Sequence, residues 1–491
     1  MKRKIAVFIL SIVFIPLTFS QNETDALRYS QRFFGSTARS VSMGGAFASL
    51  GGDFFSLGYN PAGLGIYRTH EVTFSPSFNY NSVETEYMGT VRDDDLYSLG
   101  IGNFGVVASF NRENESGWVG TNIGIGFNRH NNFNRNRIIQ GVNENSSMAD
   151  YFMYNANGIE PEHLGDLEWM AYETFVIDLQ EGEGDLYETP VMLGQTQREV
   201  KSAEGNAGEW TFAFAANYEN MLYLGASFGV ETVDYESRRR YHEVDDQNLS
   251  EFDEFKLTQI LNTSGTGMTF KAGAVLRPVD MLRIGGAVHL PTFYNLRDSW
   301  EDSMESWFDP ASEYYPSHSE AMIERKVKDY AINTPFRAIG GVSLMLFDKR
   351  GILSFDYEHV DYSSMRLRET DGGYDFYAEN EEIRESFTSV GNLRAGAELR
   401  LGPFMLRGGY AYHPSPYASE EINRGADYTT YSGGFGFREG NFMIDFAFKT
   451  STQSEYYFLY NLPADIWVPQ MEPAKNNNNY NQFKATIGFK F

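Results

Sequence analysis

The chain has 491 residues, with 47 Gly, 31 Tyr, 39 Phe, no Cys and a formal net charge of −26. Disulfides and thiolate metal sites are therefore excluded, and an acidic chain without an offsetting basic stripe excludes nucleic acid as a partner. Mean hydropathy is −0.40; beyond the first residues no apolar run approaches the roughly 20 residues of a membrane helix, which leaves open the one membrane architecture that averages conceal, a β-barrel with alternating lipid-facing and lumen-facing residues.

Residues 1–20 open on Lys2, Arg3 and Lys4, continue through an apolar run from Ile5 to Phe14 and close on Thr18-Phe19-Ser20. This is the pattern of a cleavable secretory signal, with the mature chain beginning at Gln21. Residues 21–70 are expected to form an enclosed plug. Within them the stretch from 38 to 65 is dense in Gly, Ala and Ser, so backbone can approach closely, yet it also carries Met43, Phe47, Leu50, Phe54, Phe55, Leu57 and Tyr59, which need a wall to lie against. Asn60-Pro61 is a turn-initiating pair because Pro fixes its own φ and restricts the residue before it.

From residue 71 onward the pattern is period-two alternation, the signature of half-buried strands. The spans expected are 71–87, 95–112, 117–142, 207–218, 221–243, 266–278, 281–300, 319–347, 351–369, 389–401, 404–418, 427–438, 441–460 and 478–491. Even-numbered strands are followed by tight turns such as Tyr218-Glu219-Asn220-Met221, odd-numbered ones by longer polar loops. That segregation predicts an all-β fold, a closed antiparallel transmembrane barrel of fourteen strands occupying 71–491, with the hatch inside. Phe442, Ile444, Phe446 and Phe448 share a lipid face against Met443, Asp445, Ala447 and Lys449; Leu353, Phe355 and Tyr357 oppose Ser354, Asp356 and Glu358. Inward charges of both signs predict cross-strand ion pairs in the lumen.

The loop insert of about 143–206 is expected to hold a helix around HLGDLEWMAYETFVIDL, with Trp169, Met170 and Phe175 either packed on neighbouring loops or forming a greasy capture surface. The final strand ends on Phe491, an aromatic terminus that looks like the signal read by the outer-membrane barrel assembly machinery. No catalytic or metal-ligand spacing is visible, so the chain is read as a non-enzyme without a cofactor.

Leader, small-residue plug, strand number and terminal Phe, together with Met43-Gly44-Gly45-Ala46 and Asn60-Pro61-Ala62-Gly63, resemble the FadL/TodX family of outer-membrane transporters for hydrophobic compounds in Gram-negative bacteria. The resemblance implies a hatch whose motif is Met43, Gly44, Gly45, Asn60, Pro61, Ala62 and Gly63, with an apolar ligand pocket above it. It also implies an inward kink of the third strand, for which Gly120, Gly124 and Gly126 are the candidates by strand order. Phe47, Leu50, Phe54, Phe55, Leu57, Trp169, Met170 and Phe175 are the candidate ligand contacts. The expected activity is passive uptake of a small hydrophobic ligand, fatty-acid-like or aromatic, by a monomer surrounded by outer-membrane lipid. Capture by loops would be followed by release through a hatch shift or a lateral gap. The rival is a non-transporting interaction protein of the same fold, such as a secretion-system shuttle; an apolar pocket above Asn60 favours transport, a lumen filled with ion pairs favours the scaffold.

Overall fold

The computed structural model describes residues 22–112, 116–182, 184–370, 372–462 and 472–491; the leader expected over 1–20 lies outside the described residues. Fourteen antiparallel strands close into a barrel. They are β1 (Glu71–Tyr87), β2 (Thr90–Asn111), β3 (Trp118–Asn132, continued by Arg135–Asn143), β4 (Gln195–Tyr218), β5 (Leu222–Val244), β6 (Phe252–Val279) and β7 (Leu282–His289, continued by Phe293–Phe308). The circuit goes on through β8 (His318–Asn333, continued by Arg337–Leu346), β9 (Gly351–Asp361, continued by Arg366–Glu369), β10 (Ser389–Leu401), β11 (Phe404–His413), β12 (Tyr428–Glu439), β13 (Phe442–Tyr457) and β14 (Ala474–Lys490). β14 returns to β1 from Glu71↔Lys490 to Glu86↔Lys475, and His70 and Phe491 extend the seam with two backbone hydrogen bonds of 3.1 Å. The interruptions in β7 and β8 coincide with Pro291 and Pro335, which have no N–H to give a ladder.

Alternation sorts the side chains as the sequence requires. Phe74, Phe104, Ile125, Phe212, Phe270, Leu344, Phe355, Leu406, Phe448, Phe483 and Ile487 are exposed and belong to an apolar belt around the outside, while Asp356, Glu358, Arg394, Glu398, Asp445 and Lys484 are buried in the interior. An exposed apolar ring of that extent is stable only against lipid. The described chain therefore spans a membrane as a barrel.

Three expectations need correction. β4 and β6 begin at Gln195 and Phe252, well before 207 and 266, because their upper halves stand clear of the belt and lack a lipid face to give apolar alternation. The first connection is not a long loop: Met88 and Gly89, both at positive φ, make a two-residue hairpin turn whose twist matches the strands. The helix expected in the insert is confined to Asp166–Glu173, and Phe175 at φ 59 turns the chain away.

Inside the barrel lie α1 (Glu23–Ser30), α2 (Ala38–Ser42), α3 (Ser56–Tyr59) and a 3-10 turn (Pro61–Ile66). On the loop side the insert adds α4 (Met148–Ala156) and α5 (Asp166–Glu173), and the β9–β10 connection adds α6 (Tyr377–Ser386). Met148, Phe152, Met170, Val176 and Ile177 of the insert join Phe252, Phe255, Met304 and Phe308 of the tall strands in one apolar cluster, which caps that side of the barrel.

Candidate functional site: the lumen and a break in its wall

The hatch turns where its glycines allow it. Gly44 and Gly45 have φ of 62° and 75°, and a Cβ on Gly44 would meet the backbone of Tyr410 and Ala395. Asn60 is fully buried: its Oδ1 accepts from Ala62 N–H at 3.1 Å, and its Nδ2 donates to Ala48 O at 2.5 Å and to Ala274 O of β6 at 3.3 Å. One side chain thus caps the 3-10 turn and ties two hatch segments to the wall.

Ion pairs pin the hatch to β10–β13. Glu398 accepts from Arg39 of α2 at 2.9 Å and from Arg407 and Arg400 at 2.8 Å; Arg407 also reaches Asp445 at 2.6 Å. Beside them Glu358 takes Arg337 at 2.9 Å and Arg394 at 2.5 Å, and Arg394 donates to Tyr59 Oη at 2.6 Å. On the opposite wall, Arg32 pairs with Glu231 and Lys271 with Glu209. The lumen around Asn60 is therefore filled.

Open space lies elsewhere, above Phe33–Gly35, where a cavity of about 500 Å³ is bounded by α1, β1, β3, β13 and β14. Its lining mixes Leu27, Phe33, Phe34, Phe133 and Tyr428 with Arg28, Arg129, Arg135, Arg137, Lys201, Lys449 and Lys484, against a single lining carboxylate, Glu455, among the described residues. Arg135 pairs with Glu455 at 3.0 Å, Arg137 with Glu199 at 2.6 Å, and Arg28 with Asp25.

The wall of this cavity is broken. The β2–β3 ladder runs from Asn111↔Gly120 to Asn103↔Asn128 and stops, so β2 from 90 to 102 pairs with β1 alone. Register slips at Arg129/Asn131, the strand is interrupted at Phe133-Asn134, and its continuation lies against the inner face of β1, where Asn81 Nδ2 donates to Asn134 O and Thr85 Oγ1 to Ile138 O, each at 2.5 Å. β4 follows the bend at Gly205, φ 120, which a side chain would clash out of. The free edge is at lipid depth, since Tyr97, Leu99 and Ile101 on it are exposed. The hatch holds the bent strand: Phe33 N–H donates to His130 O at 3.0 Å, and Ser36 Oγ bonds the Asn128 side chain.

The fold has known counterparts. A Pseudomonas aeruginosa FadL homologue superposes with TM-score 0.57 at 12% identity, covering 94% of this chain and 99% of that one. The Pseudomonas putida toluene transporter TodX gives 0.52 at 11%, over 94% and 99%, and the CymD monoaromatic hydrocarbon channel 0.50 at 13%, over 93% and 98%. The chain has the FadL fold. No family model and no curated protein matches the sequence. With its apolar belt, this FadL-fold barrel is an outer-membrane protein.

Within the FadL fold the residues singled out from sequence separate. Met43, Gly44, Gly45, Asn60, Pro61, Ala62 and Gly63 all lie in the hatch and are buried. Phe47, Leu50, Phe54 and Leu57 are buried between hatch and wall with Phe55 against them, and none lines the cavity. Trp169, Met170 and Phe175 belong to the loop-side cap, and Met170 is 0% exposed, so the insert packs on its neighbours. Gly124 and Gly126 accept Leu57 and Phe54 of the hatch, and Gly120 sits at a slip beside Asn111; the bend comes later, between Arg129 and Asn134. Sequence reading missed Phe33, Phe34, Arg129, Lys449 and Lys484. The available signal was cations at inward strand positions without an adjacent acid.

Proposed function

We propose that this barrel is a channel for passive passage of small hydrophobic molecules across the outer membrane, with the cavity above Phe33–Gly35 as holding site and the β2–β3 break as exit into lipid. The observation that carries this reading is the free edge of β2 from 90 to 102 at lipid depth beside the cavity. Unpaired backbone groups facing hydrocarbon cost several kcal/mol each, so a barrel whose only task is to stand in the membrane would zip that seam shut. The two exits expected from sequence are one device here: hatch residues 33–36 bond strand 3 at Asn128 and His130, so displacement of that segment pulls on the bent strand. A solute leaving water gains about 25 cal/mol per Å² of apolar surface buried, enough to concentrate it in the barrel without an energy source. TodX, a toluene transporter, and CymD, a monoaromatic hydrocarbon channel, supply precedent for hydrophobic cargo on this fold.

The ion pairs filling the lumen around Asn60 favour the scaffold reading, so the test separates the two. Gly100→Phe places a ring where the Arg129 guanidinium stands in the break. Uptake of labelled toluene and dodecanoate by cells is expected to fall severalfold while the barrel remains heat-modifiable. Undiminished uptake rejects the lateral exit; no uptake above a deletion strain in wild type favours the scaffold.

A further inference from the structure

Three cations converge on the cavity floor, and none is paired with a carboxylate among the described residues. Lys484 of β14 is 1% exposed and donates to Ser36 O at 3.2 Å. Lys449 of β13 donates to Phe34 O at 3.1 Å and lies 5.0 Å from the centre of its ring. The Arg129 guanidinium rests on Gly100 and Lys484 Nζ on Gly102, neighbouring inward positions of β2 that lie about 7 Å apart along the strand. Glycine at both makes the space, since a Cβ at either would fall on the cationic head. Several other interior cations are matched, Arg39 and Arg407 by Glu398 and Lys271 by Glu209; among the described residues Arg129, Lys449 and Lys484 form no pair with a carboxylate, nor do Lys201 on the same cavity and Arg283, which donates to Leu50 O at 2.7 Å. An interior that neutralises most of its charges and leaves three cations together beside a cavity is suited to an anion that arrives from outside.

We propose that Arg129, Lys449 and Lys484 bind a phosphate monoester group, carried into the cavity as the head of an amphiphile; this rests on the channel reading above and names a class of its cargo. A phosphate monoester carries about −1.5 to −2 charge and three acceptor oxygens; the planar fork of Arg129 suits two of them, and the lysines take the third and the remaining lone pairs. A carboxylate brings one charge and leaves the rest uncompensated; a neutral hydrocarbon brings none. Each lysine spends one of three donors on a hatch carbonyl and keeps two for the ligand. At about 500 Å³ the cavity exceeds a phosphate, and Phe33, Phe133 and Tyr428 offer the remainder to an apolar body.

The test is calorimetric titration of the full chain in non-ionic detergent with dodecyl phosphate, dodecanoate, dodecanol and inorganic phosphate. Dodecyl phosphate is expected to bind at least about tenfold more tightly than dodecanoate, and its affinity to fall as salt rises. Arg129→Gln and Lys449→Met are each expected to cost about tenfold in dodecyl phosphate affinity and less in dodecanoate affinity; the salt series in wild type gives the same information should either variant fail to assemble. Inorganic phosphate binding as tightly as dodecyl phosphate assigns the site to the free ion, and much weaker binding assigns it to a lipid head. Equal affinities for dodecyl phosphate, dodecanoate and dodecanol overturn the phosphate site while leaving passage of hydrophobes intact; no binding of any of the four removes the holding site as well.

Discussion

The seam between β4 and β5 and the seam between β2 and β3 both start at the turn side of the barrel and end differently. The first is paired without interruption from Tyr218↔Leu222 to Thr196↔Val244, far above the belt; the second stops at Asn103↔Asn128, inside it. Neither seam lacks strand-forming sequence on its two sides. The difference lies in what the interior offers: at the open seam, strand 3 finds acceptable partners in Asn81 and Thr85 of β1 and in the hatch backbone, so leaving the wall costs it fewer hydrogen bonds than leaving the β4–β5 ladder would. A gap in a barrel is thus made by a competing set of inward bonds.

The largest expected effect tests how firmly the intact side holds the hatch. Glu398→Ala leaves Arg39, Arg400 and Arg407 around an empty acceptor, and loss of one partner from a buried ionic cluster costs about 3–5 kcal/mol. The barrel should remain heat-modifiable, with raised conductance in planar bilayers and faster proteolysis within 38–65; unchanged values would show that the hatch is held by shape alone. Next, hydrogen exchange compares the seams directly. Amides of 90–102 that face the break are expected to exchange about a thousandfold faster than those of Leu222–Val244, a difference of about 4 kcal/mol in opening; equal protection would mean the break is closed in solution.

The tall seam carries a pH dependence of its own. Glu243, above the belt on β5, accepts from Tyr241 Oη at 2.8 Å and from Met148 N–H of α4 at 3.3 Å, and burial pushes its carboxyl from 4.5 up to about 7. The packed cap holds that proton more tightly than the open one does, so its stability is greatest below about 4.5 and declines as pH rises through about 7, by an amount of order a few kcal/mol. Exchange across 144–194 at pH 5 and pH 8 should show the decline, and Glu243→Gln should flatten it. Asn60→Ala removes a cap, a bond to Ala48 within the hatch and a bond to Ala274 of the wall, and should loosen the hatch by about 1–2 kcal/mol, read as increased small-solute leakage from a folded barrel. Smallest in folded stability is Phe491→Ala, which loses stacking on His70 at 5.3 Å, worth about 1 kcal/mol. If the assembly machinery reads that residue, the amount reaching the membrane should drop further than stability explains.

Strands inside the belt were legible because lipid on one side and a filled lumen on the other force period two; Glu71–Tyr87 and Ser389–Leu401 match expectation to the residue. Above the belt water replaces lipid, outward positions turn polar, and the signal for Gln195–Gly205 and Phe252–Gly265 disappears with it. Asn60-Pro61 declared its turn through local chemistry. The bend of strand 3 did not, because Arg129–Asn134 leaves the wall for partners distant in sequence, at Asn81, Thr85 and Phe33. The hatch aromatics expected as ligand contacts pack between hatch and wall, while the cavity draws its residues from strands remote from one another.

The hatch joins the barrel at residue 70, beside the last residue of the chain, and its contacts with β14 include Ala38 N–H to Thr486 Oγ1 at 2.7 Å and Lys484 Nζ to Ser36 O. Opening the closed ring sideways would unpair a whole ladder in hydrocarbon. A plug that is in place while the sheet is still open avoids that cost. It serves as a mandrel: β14 finds its final partners on β1 and on the hatch together, so that an empty barrel is penalised at the very step that would seal it.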